Sequence, residues 1–209
     1  PQEILSSDVP AKVPSGWQWA RLCSVFRVIT DGDHQAPPKS VDGVAFLTIG
    51  NISSGSVDFS GCRFVPQEYF DSITSYRKPS YGDILYTVVG ATYGRALLVD
   101  SKRDFCVQRH IAILKCCPDF NVDFATLLLS SPFVYDQATK SVTGTAQPTV
   151  PLRPLRNFLI PIPPLNEQVR IVAKVDQLMI LCDRLKERLQ HAQHTKLRLA
   201  DALVEQAVG

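Results

Sequence analysis

Residues 160–183, IPIPPLNEQVRIVAKVDQLMILCD, contain the point at which the composition of this 209-residue chain changes. All fifteen prolines lie at or before Pro164, and every glycine except Gly209 precedes it. Proline and glycine favour turns and interrupt helices. The sequence therefore predicts a compact, turn-rich N-terminal part and a C-terminal part that forms one long helix.

A heptad pattern runs through the C-terminal part, because small or apolar residues follow each other at alternating steps of four and three. Such a pattern predicts a seam along which helices pair. The predicted helix-pairing residues are Ile171, Val175, Leu178, Cys182, Leu185, Leu189, Ala192, Leu199 and Leu203, and Lys196 alone interrupts the series.

The start of this helix is also marked in the sequence. Pro163 and Pro164 exclude helix just upstream. We expect Asn166 to cap the first amide groups and Glu167 to place a negative charge at the positive end of the helix dipole.

A helix over residues 166–208 would be about 64 Å long at 1.5 Å per residue. Its apolar seam is longer than a monomer usually leaves in water. We therefore expect a partner helix. The alternative is a pair of shorter helices that fold back on the domain, with a break near residues 191–195.

The N-terminal part has the spacing of short strands separated by turn residues. Strands are predicted for residues 27–30, 44–49, 84–89, 95–99 and 110–115. Helices are predicted for residues 66–72 and for residues 122–139, the latter despite Pro132. The expected fold class is α+β, a mixed-strand domain followed by a long C-terminal coiled-coil helix.

Composition excludes several classes of function. Twenty-two Lys and Arg against twenty Asp and Glu give a net charge of +2. This excess is too small to indicate a nucleic-acid binder by itself, so any such function must depend on where the charges lie. No apolar run reaches the roughly 18 residues of a membrane span, and we expect a cytoplasmic protein. The cysteines lack metal-binding spacing and are expected to be reduced; they are Cys23, Cys62, Cys106, Cys116, Cys117 and Cys182.

Catalytic signatures are missing from the sequence. It contains no phosphate-binding GxxxxGK[ST] loop, no GxGxxG and no GxSxG. His110 is expected to be an ordinary strand residue. His191 and His194 lie three residues apart without a third ligand, so no metal site and no cofactor are predicted for this chain.

Three polar, glycine-containing loops remain: TDGDHQ at residues 30–35, GATYGR at 90–95 and TGTAQ at 143–147. Their side chains suit base edges and phosphates, with Gln35, Arg95 and Gln147 the best candidates for base edges. Taken alone, a polar loop of this kind is most often a simple turn. The candidate DNA-binding residues are Thr30, Asp31, Gly32, His34, Gln35, Lys39, Arg77, Lys78, Tyr93, Gly94, Arg95, Arg109, Thr143, Gly144, Thr145 and Gln147. Arg63, Lys102 and Arg103 would join these cations on phosphates if the fold gathers them on one side.

Several segments together resemble one family, the DNA specificity subunits of type I restriction-modification systems. Residues 160–183 resemble the entry into that family's long spacer helix, and GTAQPTV at 144–150 resembles the segment before it. Further segments resemble its target-recognition domains: PSGWQWARL at 14–22, TDGDHQAPP at 30–38, YGDILYTVVGATYGRALLV at 81–99 and VQRHIAIL at 107–114.

The resemblance implies a connector at residues 1–13, a target-recognition domain at 14–163 and a long spacer and dimerisation helix at 164–209. Family members have two recognition domains separated by two antiparallel helices, and each domain reads half of a bipartite DNA site. This chain has one of each and does not begin with Met, so we expect a C-terminal half or a half-sized subunit that dimerises.

The resemblance also implies partners. They are double-stranded DNA, modification subunits that bind S-adenosylmethionine and methylate adenine, and a restriction or motor subunit. This chain itself is expected to be non-catalytic. The alternative is a coiled-coil scaffold or interaction protein that does not read DNA sequence.

Overall fold

The computed structural model describes Ile4, residues 9–52 and residues 55–208, without the side chains of residues 199–203, 205, 207 and 208. The chain divides into two compact units, the first ending at Gln168 and the second beginning at Val169. The predicted connector lies partly outside the described residues.

The described residues of the first unit form nine strands in three sheets. Their bounds are β1 Gln18–Arg21, β2 Phe26–Asp31, β3 Val44–Leu47, β4 Arg63–Val65, β5 Ile84–Thr87, β6 Ala96–Leu98, β7 Phe105–Val107, β8 Ile111–Cys116 and β9 Leu159–Ile162. The central sheet has the order β2-β8-β5-β6 and is antiparallel throughout. A second sheet has the order β4-β3-β7, in which β3 and β7 are parallel, and β1 pairs with β9.

Six α-helices accompany these strands in the described part of the chain. They are α1 Leu22–Val25, α2 Gln67–Ser72, α3 Val122–Leu129, α4 Pro132–Ser141, α5 Leu152–Arg156 and α6 Leu165–Val208. Short 3-10 turns lie at Ile49–Ile52 and Ser75–Arg77. The predicted α+β fold class, with a long C-terminal helix, is confirmed.

The core is layered around β5 and β8, which are buried on both faces of the central sheet. Tyr86 and Leu114 face a cluster that includes residues of α3, α4 and α5. Leu85 and Ile113 face the opposite way, onto residues of β3 and β7. A third cluster fills the space between the second sheet and α2. Because alternate residues of one strand enter different clusters, a shift of one residue in register would exchange their environments.

All five predicted strand segments overlap observed strands, namely β2, β3, β5, β6 and β8. The helix α2 lies within the predicted residues 66–72. The helix predicted for residues 122–139 is instead two helices. Pro132 occupies the first turn of α4, and the hydroxyl of Ser131 accepts a hydrogen bond from the N–H of Val134. Proline is favoured at the start of a helix and disrupts the interior, so Pro132 begins a new helix.

The prediction that Asn166 caps the last helix is wrong by two positions. The helix α6 begins at Leu165, and the carbonyl of Pro164 accepts the N–H groups of Glu167 and Gln168 at 2.8 and 3.0 Å. Asn166 is therefore inside the first turn.

Two side chains fix this first turn to the domain. Glu167 accepts a 3.0 Å hydrogen bond from the indole N–H of Trp17. Gln168 is buried, and its amide accepts the N–H of Asn121 and donates to the carbonyl of Pro163. A buried amide is stabilising only when its hydrogen bonds are made. The start of α6 is thereby part of the first unit's structure.

The helix α6 is continuous over its 44 residues, about 66 Å at 1.5 Å per residue. The alternative of two helices with a break near residues 191–195 is wrong. Seam residues in the second unit are exposed, with exposed fractions of 49% for Leu178, 59% for Leu185 and 64% for Leu189. The side chains of Leu199 and Leu203 lie outside the described residues.

All six cysteines are free. Within the described residues, no helix combines the length and the hydropathy that a bilayer span requires.

Candidate nucleic-acid interface

One edge of the central sheet collects the loops that the sequence singled out. Because β2 and β5 both run antiparallel to β8, the ends of β2 and β5 lie beside the start of β8; Asp31 pairs with Ala112 and Thr87 with Ile111. The loop after β2 and the loop between β5 and β6 therefore emerge together. We call this the loop edge.

The third loop is attached to the same place by main-chain hydrogen bonds. The N–H of Gly90 donates to the carbonyl of Pro148 at 2.9 Å, and the N–H of Val150 donates to that of Val88 at 2.8 Å. Val89 and Thr149 also form an isolated bridge. The fold thus brings residues 30–35, 90–95 and 143–147 to one edge of a rigid sheet.

The first loop is held by the side chains at its beginning. The carboxylate of Asp31 contacts the imidazole of His34 at 2.8 Å and the guanidinium of Arg77 at 3.3 Å. Arg77 also donates to the carbonyl of Gly32 at 2.9 Å. Of the predicted residues here, Asp31, Gly32 and Arg77 form the base of the loop, whereas His34 and Gln35 are exposed.

Asp33 adds a second attachment for the first loop. Its carboxylate accepts the hydroxyl of Tyr69 at 2.9 Å and the N–H of His34. Burial raises the pKa of Tyr69, and the neighbouring Asp33 carboxylate raises it further. Tyr69 therefore stays a neutral donor that fixes the position of Asp33.

The second loop is folded around Thr87. Its hydroxyl donates to the carbonyl of Thr92 at 2.6 Å and accepts the N–H of Arg95 at 3.0 Å. The rings of Tyr93 and Tyr135 are stacked, with centroids 5.4 Å apart and planes inclined by 5°. The side chain of Arg95 is exposed at the start of β6.

Gly94 lies directly against this stacked pair. A Cβ atom there would come within 2.6 Å of the Tyr135 ring, and the φ of +87° favours glycine in any case. Gly94, predicted as a DNA contact, therefore has a structural reason to be glycine.

The third loop is a tight turn closed by reciprocal hydrogen bonds between Thr143 and Thr149, each 2.9 Å. Gly144 supplies the positive φ of +85° that the turn requires. Thr145 and Gln147 are exposed at its tip. This geometry presents their side chains to solvent at the loop edge.

The predicted cations are not all gathered on one side. Arg109 is exposed in the turn between β7 and β8, and Arg63 lies over the Phe46 ring at 5.6 Å beside it. Lys39 is exposed in the segment that follows the first loop. Lys102 and Arg103 precede β7, at the end of that strand away from the loop edge.

Lys78, also predicted to contact DNA, is engaged within the domain. Its ammonium group lies 4.3 Å from the centroid of the Phe70 ring, and it donates to the carbonyl of Asp71 at 3.4 Å. Thr30 is buried at the end of β2.

A cleft of about 340 Å³ opens between the first loop and the turn formed by residues 108–110. Its lining includes His34, Gln35, Arg63, Gln108 and His110. Sequence reasoning missed Gln108 and assigned His110 to a strand, whereas His110 lies in the turn before β8. The signal was the polar triplet QRH between two apolar strands.

Burial lowers the pKa of His110, and the neighbouring positive charge of Arg109 lowers it further. Its imidazole is therefore neutral at physiological pH, with one nitrogen as donor and the other as acceptor. The loop edge thus offers amide, imidazole and guanidinium groups together, which is the chemistry that reads base edges.

The family model described as type I restriction modification DNA specificity domain matches residues 14–192, which is more than half of this chain. The chain belongs to this family. The match confirms the resemblance on which the sequence interpretation depended.

Relatives within the specificity-domain family include two from Escherichia coli. The chain is 26% identical to the specificity subunit of the type I restriction enzyme EcoAI, over 99% of this chain and 36% of that relative. It is 27% identical to the EcoBI specificity subunit, over 93% of this chain and 42% of that relative.

A solved structure of the HsdS subunit from Thermoanaerobacter tengcongensis is 25% identical and superimposes with a TM-score of 0.63, covering 86% of this chain and 46% of that one. A second structure, whose subject is complex assembly and conformational transition of the type I R-M system, gives a TM-score of 0.68. The chain spans less than half the length of each of these relatives.

Proposed function

We propose that this chain is a sequence-specific DNA-binding module that reads one half of a bipartite target for a type I restriction-modification complex. The observation that carries the proposal is the convergence of three polar loops at one edge of a buried sheet in a chain of the specificity-domain family. A rigid sheet holds such loops in fixed positions, which limits the entropy lost on binding.

Roles at the loop edge follow from exposure and chemistry. Gln35, Arg95 and Gln147 read base edges, because amides pair with adenine and guanidinium groups with guanine. Lys39, Arg109 and His34 contact phosphates or the sugar backbone, which fixes position without reading sequence. Thr145, exposed at the tip of the third loop, joins these backbone contacts. Lys78 is engaged with α2. The remaining predicted residues support the loops: Thr30, Asp31, Gly32, Arg77, Tyr93, Gly94, Thr143 and Gly144.

The partners are those of the family. Modification subunits, with their own S-adenosylmethionine, carry out methyl transfer, and a restriction or motor subunit completes the complex. In this proposal the cofactor and the catalytic steps belong to those subunits and not to this chain. A net charge of +2 leaves part of the phosphate neutralisation to these partners.

The long helix acts as a ruler and as a pairing surface. Exposed seam residues in the second unit favour a partner helix, because an apolar stripe is stable only when covered. In isolation that partner is a second copy of this chain, which gives a two-fold symmetric pair and a palindromic split site.

The test is selection of duplexes from a randomised pool by the purified chain, followed by binding measurements at several salt concentrations. A DNA reader selects a motif and loses affinity steeply with salt, with a slope of about −0.9 for each phosphate contact. A scaffold without sequence readout selects no motif, and that outcome would reject the proposal.

Substitutions then assign the loops. Arg95→Ala and Gln147→Ala should each reduce discrimination at one base pair by about 1–3 kcal/mol, because a bidentate contact is lost. Binding to cognate and singly mismatched duplexes measures this. Arg103→Ala, away from the loop edge, is the control; equal discrimination by all three variants and the unsubstituted chain would reject both assignments.

A further inference from the structure

The turn between β7 and β8, residues 108–110, is the point at which the parts of the loop edge meet. The N–H of Gln108 donates to the carbonyl of Leu47 at 3.0 Å, and its own carbonyl accepts the N–H of Ile111 at 3.1 Å. The carbonyl of His110 accepts the N–H of Val88 at 3.1 Å. The turn is thus bound to the ends of β3, β5 and β8.

The first loop packs so closely on the same turn that a side chain has no space at Gly32. A Cβ atom at Gly32 would lie 2.6 Å from the carbonyl carbon of Gln108. Asp33 and Gln108 form an isolated bridge. The main chain at Gln108 is therefore held from both sides.

The side chains of this turn are available although its main chain is fixed. Gln108 and His110 both line the cleft beside Gln35. Among the described residues, neither the Gln108 amide nor the His110 imidazole has a hydrogen-bond partner within the protein. Half-buried polar groups on a fixed main chain are suited to a ligand that supplies the missing hydrogen bonds.

We propose that Gln108 and His110 are specificity-determining residues, which read neighbouring base pairs from the cleft while Arg109 between them contacts a phosphate. The proposal rests on the proposed function and adds positions outside the three loops. Gln108 selects adenine, because its amide matches the N6 donor and N7 acceptor of that base. The lowered pKa of His110 is consistent with a neutral side chain that both donates and accepts.

The experiment uses the whole chain and duplexes drawn from a randomised pool. Gln108→Ala should reduce the preference at one adenine position about tenfold, which is the loss of one bidentate contact, and leave the other positions unchanged. His110→Ala should do the same at a different position. Arg109→Ala should instead weaken all duplexes alike and reduce the salt slope by about 1.

A second substitution separates readout from folding. Gln108→Glu keeps the size of the side chain but removes the amide donor, and should shift the preference from adenine to cytosine, whose N4 group donates to a carboxylate. Gln18→Ala on β1 and His191→Ala on α6 are matched controls. Near-ultraviolet circular dichroism and the Tm of each variant establish that the domain is folded.

The outcomes are distinguishable. If the unsubstituted chain selects no motif, the proposed function fails. If it selects a motif that Gln108→Glu retains with unchanged weights, the reading role of Gln108 is overturned while the proposed function stands. An unchanged motif in His110→Ala likewise overturns the role of His110, and a uniform loss at every position in a folded variant shows a structural role only.

Discussion

At the scale of single residues, Gly32 shows how little space the loop edge leaves for change. A Cβ atom there would overlap the carbonyl oxygen of Val107, at a distance that real side chains do not show. The atoms nearest to this Cβ belong to the main chain of Val107 and Gln108, which cannot move aside as a flexible side chain could. The first loop can therefore leave β2 in this direction only with glycine at this position.

We expect Gly32→Ala to lower the free energy of unfolding of the first unit by about 2 kcal/mol or more, because the main chain must move to relieve the overlap. Urea unfolding followed by tryptophan fluorescence reports on this unit through Trp17 and Trp19. Gly50→Ala is the control, since among the described residues the atom nearest to its Cβ would be the Thr48 hydroxyl, at an ordinary contact distance of 3.8 Å. Equal stability of the two variants would contradict the packing argument.

The sequence indicated which loops are polar, but not which of their side chains support the loop and which are exposed. A hexapeptide such as TDGDHQ does not tell which polar side chains point inward, because Asp31 and Arg77 are 46 positions apart and meet only in the fold. For the same reason Gln108 was missed: its importance comes from contacts with β3, with Gly32 and, through His110, with β5. Long-range pairing decides these roles. A local pattern such as the polar triplet QRH marks the position but does not show which contacts it makes.

At the scale of elements, the long helix α6 was easier to predict than the short elements of the first unit. The seam predicted α6 because its periodicity is sustained over many turns. The strands β1, β4, β7 and β9 and the helices α1 and α5 were missed, because three to five residues carry too little periodicity to mark an element. The equally short β6 was predicted because it lies inside the apolar run at residues 96–99. The break between α3 and α4 was missed because the apolar spacing continues across Pro132 although the helix does not.

The seam yields a prediction at Lys196, the one charged member of the series. Under the pairing proposal, Lys196→Leu should strengthen self-association at least tenfold, or about 1.4 kcal/mol, because an apolar side chain replaces a charge in the paired interface. Sedimentation equilibrium measures the Kd of the pair.

Arg184→Leu is the matched control for this prediction, because heptad spacing places residue 184 outside the seam. It should change the Kd little. An equal gain in both variants would indicate nonspecific apolar association, and no gain at Lys196 would contradict pairing along this seam.

At the scale of the whole molecule, the pairing proposal implies a fixed separation between two half-sites. Inserting five base pairs between them turns one half-site about half a turn around the duplex, since a turn takes about 10–10.5 base pairs. We expect such an insertion to reduce affinity about 100-fold or more, because one copy can then no longer bind with its partner.

Fluorescence anisotropy with the selected bipartite duplex and its lengthened version measures this effect. The control duplex carries five substituted base pairs within the spacer and keeps its length. Affinity that is independent of spacer length would show that each chain binds DNA alone.

The pairing of β1 with β9 has a consequence for how such a module changes over generations. Gln18 lies opposite Ile162 and Arg21 opposite Leu159, so the chain enters and leaves the recognition fold at adjacent points. The residues between these two strands therefore form one unit that is closed by the β1–β9 pair. Trp17 bonds to Glu167 and Gln168 bonds to the carbonyl of Pro163, so both ends of this unit contact the first turn of α6. Under the proposed function, genetic exchange at these two strand sequences would replace the loop edge, and with it the DNA preference, without altering the helix α6.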